Sequence, residues 1–286
     1  MPALRTRLAA LCLAFRRRGR ASARGRLRRP HVERRLLFGL RLDPLRMDEV
    51  VERCRLALET RSRVLVGVLN AAKVVNARRD ALLRDSLLDC DLLLADGQSI
   101  VWASRLLGRP LPERVAGIDL FEKLLELADR DDRSVYLLGA RPEILAKLEA
   151  RIGERFPRLR IAGSHHGYFD DTDAPAIAAG IRASGADMLF LGMVSPKKEI
   201  FLATHGASLD VPVLHGVGGS FDVLAGLTRR APILWQRTGM EWAYRLLQEP
   251  RRLLWRYLRA NTAFLALTAR EFIRPAEAFV VTENKR

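Results

Sequence analysis

The sequence is poor in cysteine, short of acids and without a long apolar run. Its three cysteines, Cys12, Cys54 and Cys90, stand far apart with no CxxC pair. That excludes a disulfide framework and a cysteine zinc site, and it suits a reducing compartment. No apolar stretch approaches the roughly 20 residues that a membrane span needs. The apolar run over residues 8–15 is short, is followed by more arginine and lacks a small-residue cleavage site, so no signal peptide is expected. No internal repeat or low-complexity linker interrupts residues 40–245. Acids number 33 against 49 lysines and arginines, a formal net charge of +16 with a pI near 10.9. Such a chain seeks polyanions: phospholipid headgroups, nucleic acid or phosphate-bearing substrates.

The positive charge is concentrated at the two ends. Residues 5–41 hold arginine after arginine, among them Arg16, Arg17, Arg18, Arg28 and Arg29, with Glu33 as the sole acid. Leu4, Leu8, Leu11 and Phe15 share one helical face in this arm, and Gly19, Gly25 and Pro30 interrupt the chain beyond it. Residues 1–37 therefore read as a basic arm, disordered or lying on anionic lipid. Residues 38–231 read as the catalytic domain. Short apolar runs at 63–69, 92–95, 134–138, 159–162, 187–191 and 211–215 alternate there with amphipathic helical patterns at 48–59, 71–79, 81–88, 98–107, 143–156 and 174–183. The alternation predicts an α/β fold: a Rossmann-like parallel sheet with helices on both faces. Residues 232–286 carry no strand signal and form a C-terminal helical appendage, with helices expected at 233–247 and 250–268. Arg252, Arg256 and Arg259 lie near one side of the last helix, and Leu254, Tyr257, Leu258, Phe264 and Leu265 near another. A basic amphipathic helix with Trp255 and Tyr257 suits a membrane interface, and its apolar side equally suits docking on the core.

The chemistry gathers around residues 88–120. An apolar strand ends on Asp96-Gly97, which sets a carboxylate at the carboxyl edge of the sheet, where open α/β sheets bind ligands. Other strands end at Asn70, Gly139, Gly192 and Gly216. Glycine there lets a ligand approach the backbone, and the following helix offers free amides to phosphate. The run Gly216-Val217-Gly218-Gly219-Ser220-Phe221 lacks the third glycine of a dinucleotide fingerprint and points to a phosphorylated ligand rather than NAD. Lys197 and Lys198 open a helix after a strand, a second place to grip phosphate. Asp96 is the leading general base by position; Asp119 and Asp222 are weaker candidates, each near a helix start where an acid also serves as a first-turn charge. His165 and His166 have no partners at metal-like spacing and read as loop or packing residues.

The motifs ADG-x-x-IVWASRLLG-x-PLPERVAGIDL, LLGA-x-P, GYF, LGM-x-x-PKKE, GVGGSFDVLAG-x-x-RRAP and GMEW-x-YRL-x-x-EPRRL-x-x-RYL succeed one another in this order. Together they resemble the WecG/TagA/CpsF glycosyltransferases, over residues 40–265, and in particular their exopolysaccharide-cluster branch. The resemblance implies transfer of a sugar, commonly N-acetylmannosamine or its uronic acid, from a UDP-sugar donor. The implied acceptor is a sugar on undecaprenyl diphosphate. It implies inversion at the anomeric centre, no metal, no cofactor, and a cytoplasmic enzyme held peripherally on the inner face of the cell membrane by its C-terminal helices. Asp96 matches the family's catalytic aspartate and Asn70 its polar residue after the first strand. Arg245, Arg252 and Arg256 match the appendage arginines that meet diphosphate. Gly97, Lys198, Gly218 and Gly219 complete the expected substrate-binding set. Two positions depart from the usual pattern: Val68 where many members have threonine, and Lys198 where many have glutamine. Valine cannot hydrogen-bond a sugar and lysine adds a charge, so a glucose-type donor also fits.

The rival readings are a nucleic-acid-binding protein or a membrane adaptor without catalysis. Nucleic acid is disfavoured because aromatic residues are not interleaved with the basic arm as a stacking platform requires. The sequence leaves homo-oligomerisation open.

Overall fold

The computed structural model describes residues 25–27, 32–195 and 197–280, without the side chains of Arg237, Arg245, Arg252, Leu253 and Arg256. Most of the expected arm thus lies outside the described residues. Its last three residues form strand β1 (Arg35–Leu37), which pairs antiparallel with β2 (Leu40–Leu42), Arg35 opposite Leu42. No strand pair was expected there, because three-residue strands carry too few alternations to register as a pattern. The hairpin is anchored by the buried Asp43, whose Oδ2 accepts the Leu93 N–H at 2.7 Å while Arg34 pairs with the same carboxylate.

Six parallel strands make the centre: β3 (Val64–Leu69), β4 (Leu92–Ala95), β5 (Ser134–Gly139), β6 (Arg160–His165), β7 (Met188–Gly192) and β8 (Val213–Gly216). Their spatial order is β4-β3-β8-β7-β5-β6. Each strand reads as a continuous apolar run because both faces are covered. On one face Val64, Val66 and Val68 of β3 meet α1 (Met47–Glu59), α5 (Gly117–Arg130) and α6 (Pro142–Arg155), through residues such as Cys54, Phe121 and Leu148. On the other, Leu65 and Leu69 meet α2 (Ala71–Ala77), α3 (Ala81–Asp89), α4 (Gln98–Leu106), α7 (Ala174–Ala183) and α8 (Lys197–His205). This is the Rossmann-like arrangement that the alternation predicts.

The short helix α9 (Ser220–Leu224) comes after β8 and packs Phe221 on the α5 face, with its ring centroid 5.7 Å from that of Phe121. The helix after β3 packs on the opposite face. Chain connections therefore leave the neighbouring strands β3 and β8 in opposite directions. A crevice opens at such a switch point, outside the carboxyl ends of the strands.

Beyond the sheet come α10 (Ile233–Arg237), α11 (Glu241–Gln248) and α12 (Pro250–Ile273). The single helix expected over 233–247 is broken at Gly239, whose φ of +73° is left-handed. A Cβ at Gly239 would stand 2.4 Å from Gln98 Cγ, so the break also lets the chain pass close over the start of α4. Glu241 clasps this region to the start of α5. It pairs with Arg114 Nη1 at 2.5 Å and with Arg230 Nε at 3.5 Å, and Arg230 also pairs with Asp119. Asp119 therefore serves as a paired first-turn charge of α5.

The apolar side chains of α12 are buried on some turns and exposed on others. Phe264, Thr268 and Glu271, spaced as one helical face, are buried; Phe264 lies 5.2 Å from the Phe38 ring and Glu271 accepts the Phe38 N–H at 3.1 Å. In the first turns, by contrast, Leu254, Trp255 and Leu258 remain exposed, Trp255 by 77%. The chain then returns to the hairpin, where the Phe279 N–H donates to the Gly39 carbonyl at 2.8 Å.

Candidate active site

Several buried or half-buried acids are fully employed in the fold. Asp91, just before β4, accepts the Leu65 N–H at 2.8 Å. Asp187, just before β7, accepts from Ser134 N and Oγ at 3.0 Å each and pairs with Arg61 at 2.6 Å. Both hold the amino edge of the sheet. Asp96 stands at the opposite edge, directly after β4, and its two oxygens are used unequally. Oδ1 accepts the Gly117 N–H at 2.9 Å, the first amide of α5. Among the described residues, Oδ2 has only a long contact, 3.5 Å, to Asn70 Nδ2. One oxygen is tethered by the backbone and the other faces the crevice side chains, which suits a carboxylate that takes a proton.

Asn70 ends β3 and caps α2: its Oδ1 accepts the Lys73 N–H at 3.1 Å, which leaves Nδ2 turned toward Asp96. Gly97 is the N-cap residue of α4, and a Cβ there would lie 3.4 Å from Asn70 Cβ. Asn70, Asp96 and Gly97 are thus brought together, from β3 and β4.

Lys198 arrives from α8 and is almost wholly buried. Its stem crosses the end of β8: a Cβ at Gly216 would lie 2.7 Å from Lys198 Cδ, so a larger residue there would push the lysine aside. Its ammonium lies 3.6 Å from Glu199 Oε1, which also accepts from Ser195 Oγ at 2.7 Å. Burial pushes the Glu199 carboxyl up, but the Lys198 ammonium and the Ser195 hydroxyl together hold it below its ordinary value. Among the described residues the buried Glu199 Oε2 has no hydrogen-bond partner. Gly218, with φ +54°, and Gly219, the N-cap residue of α9, form the turn after β8. Arg245 lies in α11 and Arg252 and Arg256 in α12; their side chains are outside the described residues.

Two site residues escaped the sequence reading. Lys73 donates from Nζ to the Val68 carbonyl at 2.8 Å, and it feels the charges of Lys198, Glu199 and Asp96. Burial, with Lys198 adding to it, pulls its ammonium down to about 8. In sequence Lys73 looks like any helix-surface lysine, because the charges it feels, those of Asp96, Lys198 and Glu199, come from distant parts of the chain. His215, on β8, is fully buried and touches two carbonyls, Val66 O and Gly117 O, each at 3.2 Å. Its signal was a lone histidine inside an otherwise apolar strand. Val68 packs under α5: a Cβ at Gly117 would lie 3.5 Å from Val68 Cγ2.

The crevice therefore gathers an oriented carboxylate, an amide donor, one buried and one half-buried lysine and a glycine turn at one sheet edge. Among the described residues no group of three or more His, Cys, Asp or Glu is placed to hold a metal ion. The profile of the Glycosyl transferase WecG/TagA/CpsF family matches residues 35–278, which spans the sheet, the crevice and the C-terminal helices. The chain belongs to the WecG/TagA/CpsF family of glycosyltransferases.

Proposed function

We propose that this glycosyltransferase moves a sugar, N-acetylmannosamine-type or another hexose, from a UDP-sugar to a sugar on undecaprenyl diphosphate. It does so with inversion and without a metal, in cell-surface or exopolysaccharide synthesis. The observation that carries this reading is the unequal use of the Asp96 oxygens. Oδ1 is fixed by the Gly117 amide, so Oδ2 is the atom that removes a proton from the acceptor hydroxyl. The resulting oxygen attacks the donor's anomeric carbon from the face opposite UDP, and the bond to the UDP oxygen breaks. Negative charge then grows on the leaving diphosphate. Lys73 and Lys198 are cations in the crevice, the turn Gly218-Gly219 offers amides beside them, and Arg245, Arg252 and Arg256 supply further charge from the appendage. Asn70 orients the acceptor or the base, and Gly97 lets the sugar come close to the backbone.

The exposed apolar side chains of α10 to α12 support attachment to the inner face of the membrane. Ile233, Leu234, Leu247, Leu254, Trp255 and Leu258 are all exposed on helices that also carry arginine. No helix among the described residues is long and apolar enough to cross a membrane, so contact of these helices with the membrane would be interfacial. The test is transfer from a panel of UDP-sugars to a short-chain polyprenyl-diphosphate sugar with EDTA present. Transfer of one sugar with an inverted anomeric centre is the expected result. Transfer that stops with EDTA and returns with a divalent ion would refute the metal-free reading, and no transfer from any UDP-sugar would refute the donor class.

A further inference from the structure

The structure assigns His215 a role as the positioning residue for Asp96, acting through Gly117; this rests on the reading of Asp96 as the base. Gly117 links the two side chains. Its N–H donates to Asp96 Oδ1 at 2.9 Å, and its carbonyl stands 3.2 Å from His215 Nε2. The other ring nitrogen, Nδ1, is 3.2 Å from the carbonyl of Val66. Val66 and His215 are neighbours across the β3–β8 pair, at the strand junction where the crevice opens. The histidine thus ties the first residue of α5 to the central strands, and that residue in turn fixes one oxygen of the base.

Packing alone does not account for an imidazole here. His215 is fully buried in a strand whose other positions are Val213, Leu214 and Gly216, and an apolar residue would fill the space without desolvating a polar ring. Both groups it meets are acceptors and a neutral ring carries a single N–H; the tautomer that serves the tether is Nε2–H, donating to the Gly117 carbonyl, which no aliphatic side chain can do. The segment that needs holding is the polar loop between α4 and α5. At its end Val115 N donates to Ala95 O at 2.8 Å, and Gly117 N reaches Asp96. The N-cap residue, Ala116, makes no side-chain cap bond, so the start of α5 takes its fixation from outside the helix. His215 supplies it from β8, two strands away from Asp96.

The two ring nitrogens can be tested separately. A glutamine amide reaches about as far as Nε2 and keeps a donor for Gly117; an asparagine amide mimics Nδ1 and keeps one for Val66. His215→Asn should lower kcat about 100-fold with KM for the UDP-sugar little changed, because a small misplacement of a reacting group costs rates of that size. His215→Gln should lose less than about threefold by the same reasoning. In parallel, hydrogen exchange at the Gly117 amide should quicken at least about tenfold in His215→Asn and stay slow in His215→Gln, since exchange reports the local opening of that bond. Equal losses of kcat in the two variants, or unchanged Gly117 exchange in His215→Asn, would overturn the assignment. Should the wild type transfer no sugar, the UDP-sugar reading fails, and the exchange at Gly117 still decides the role of His215 without an activity assay. Should the asparagine variant not fold, His215→Leu, which offers no N–H, takes its place with the same expected results.

Discussion

At Asp96 the surroundings decide the role. The acids at the amino edge of the sheet are tied to backbone amides and arginines, whereas Asp96 keeps one oxygen facing the crevice. Lys73 is the other residue whose surroundings set its behaviour. Its ammonium falls from 10.5 to about 8 in the fold, through burial and then Lys198. Between those two values the unfolded chain binds more protons than the folded one, so stability rises with pH across the window; below about 8 the buried charge costs stability in full. Denaturant melts of Lys73→Met against wild type should show the variant more stable at pH 7, by the order of 1–3 kcal/mol, with the gap closing toward pH 10.5. A constant gap over that range would contradict the account. Binding should move the other way: the affinity for UDP should fall as pH rises through about 8, and calorimetry on Lys73→Met should lose that dependence. Neither Lys73 nor His215 was legible as a site residue, since each owes its role to groups far away in the chain. That Asp96, Asn70 and Gly97 meet at the sheet edge was legible, because they follow apolar runs.

At the scale of elements, α5 is placed by its first residue. Gly117 is the first helical position, and Ala116 before it has φ −70° and ψ 134°. That position tolerates proline, and an extended residue precedes it comfortably. Gly117→Pro suits the helix backbone yet replaces the N–H that holds Asp96 with a ring carbon, which crowds the carboxylate out of place. Some stability should be lost to that crowding, while kcat falls by about 100-fold or more. Unchanged turnover would mean that the Gly117 tether is irrelevant to the base. The long elements announced themselves by period: α1, α4 and α6 begin and end within a residue or so of expectation. The break at Gly239 was not expected: its local signal is a single glycine, and the close passage over Gln98 that goes with it is a tertiary contact. The β1–β2 hairpin was missed for its brevity, although the buried Asp43 that holds it is as firmly bonded as any group in the sheet.

At the scale of the whole molecule, the crevice at the sheet edge and an apolar, arginine-bearing helical region belong to one matched family span, 35–278. Glu241 couples them, through Arg114 on the loop before α5 and Arg230 after α9. If the appendage rests on a membrane, Trp255→Ser combined with Leu258→Ser should weaken sedimentation with anionic vesicles about tenfold or more, because each removes exposed apolar area from the interface. Transfer to a short-chain, water-soluble acceptor should persist in that variant. Unaltered vesicle binding would place the membrane contact elsewhere. The sequence showed the basic ends and the amphipathic last helix. Which turns dock on the core and which stay exposed could be read only from the packing of Phe264 on Phe38 and the burial of Thr268 and Glu271.

The most direct measurement is single-turnover transfer by Asp96→Asn beside UDP binding by the same protein. Asparagine keeps an oxygen for the Gly117 amide but cannot take a proton. The rate should drop by about three orders of magnitude, within the range that loss of a general base produces, with UDP affinity and melting temperature nearly unchanged. Transfer at the wild-type rate by a folded, UDP-binding Asp96→Asn would contradict the account at its centre.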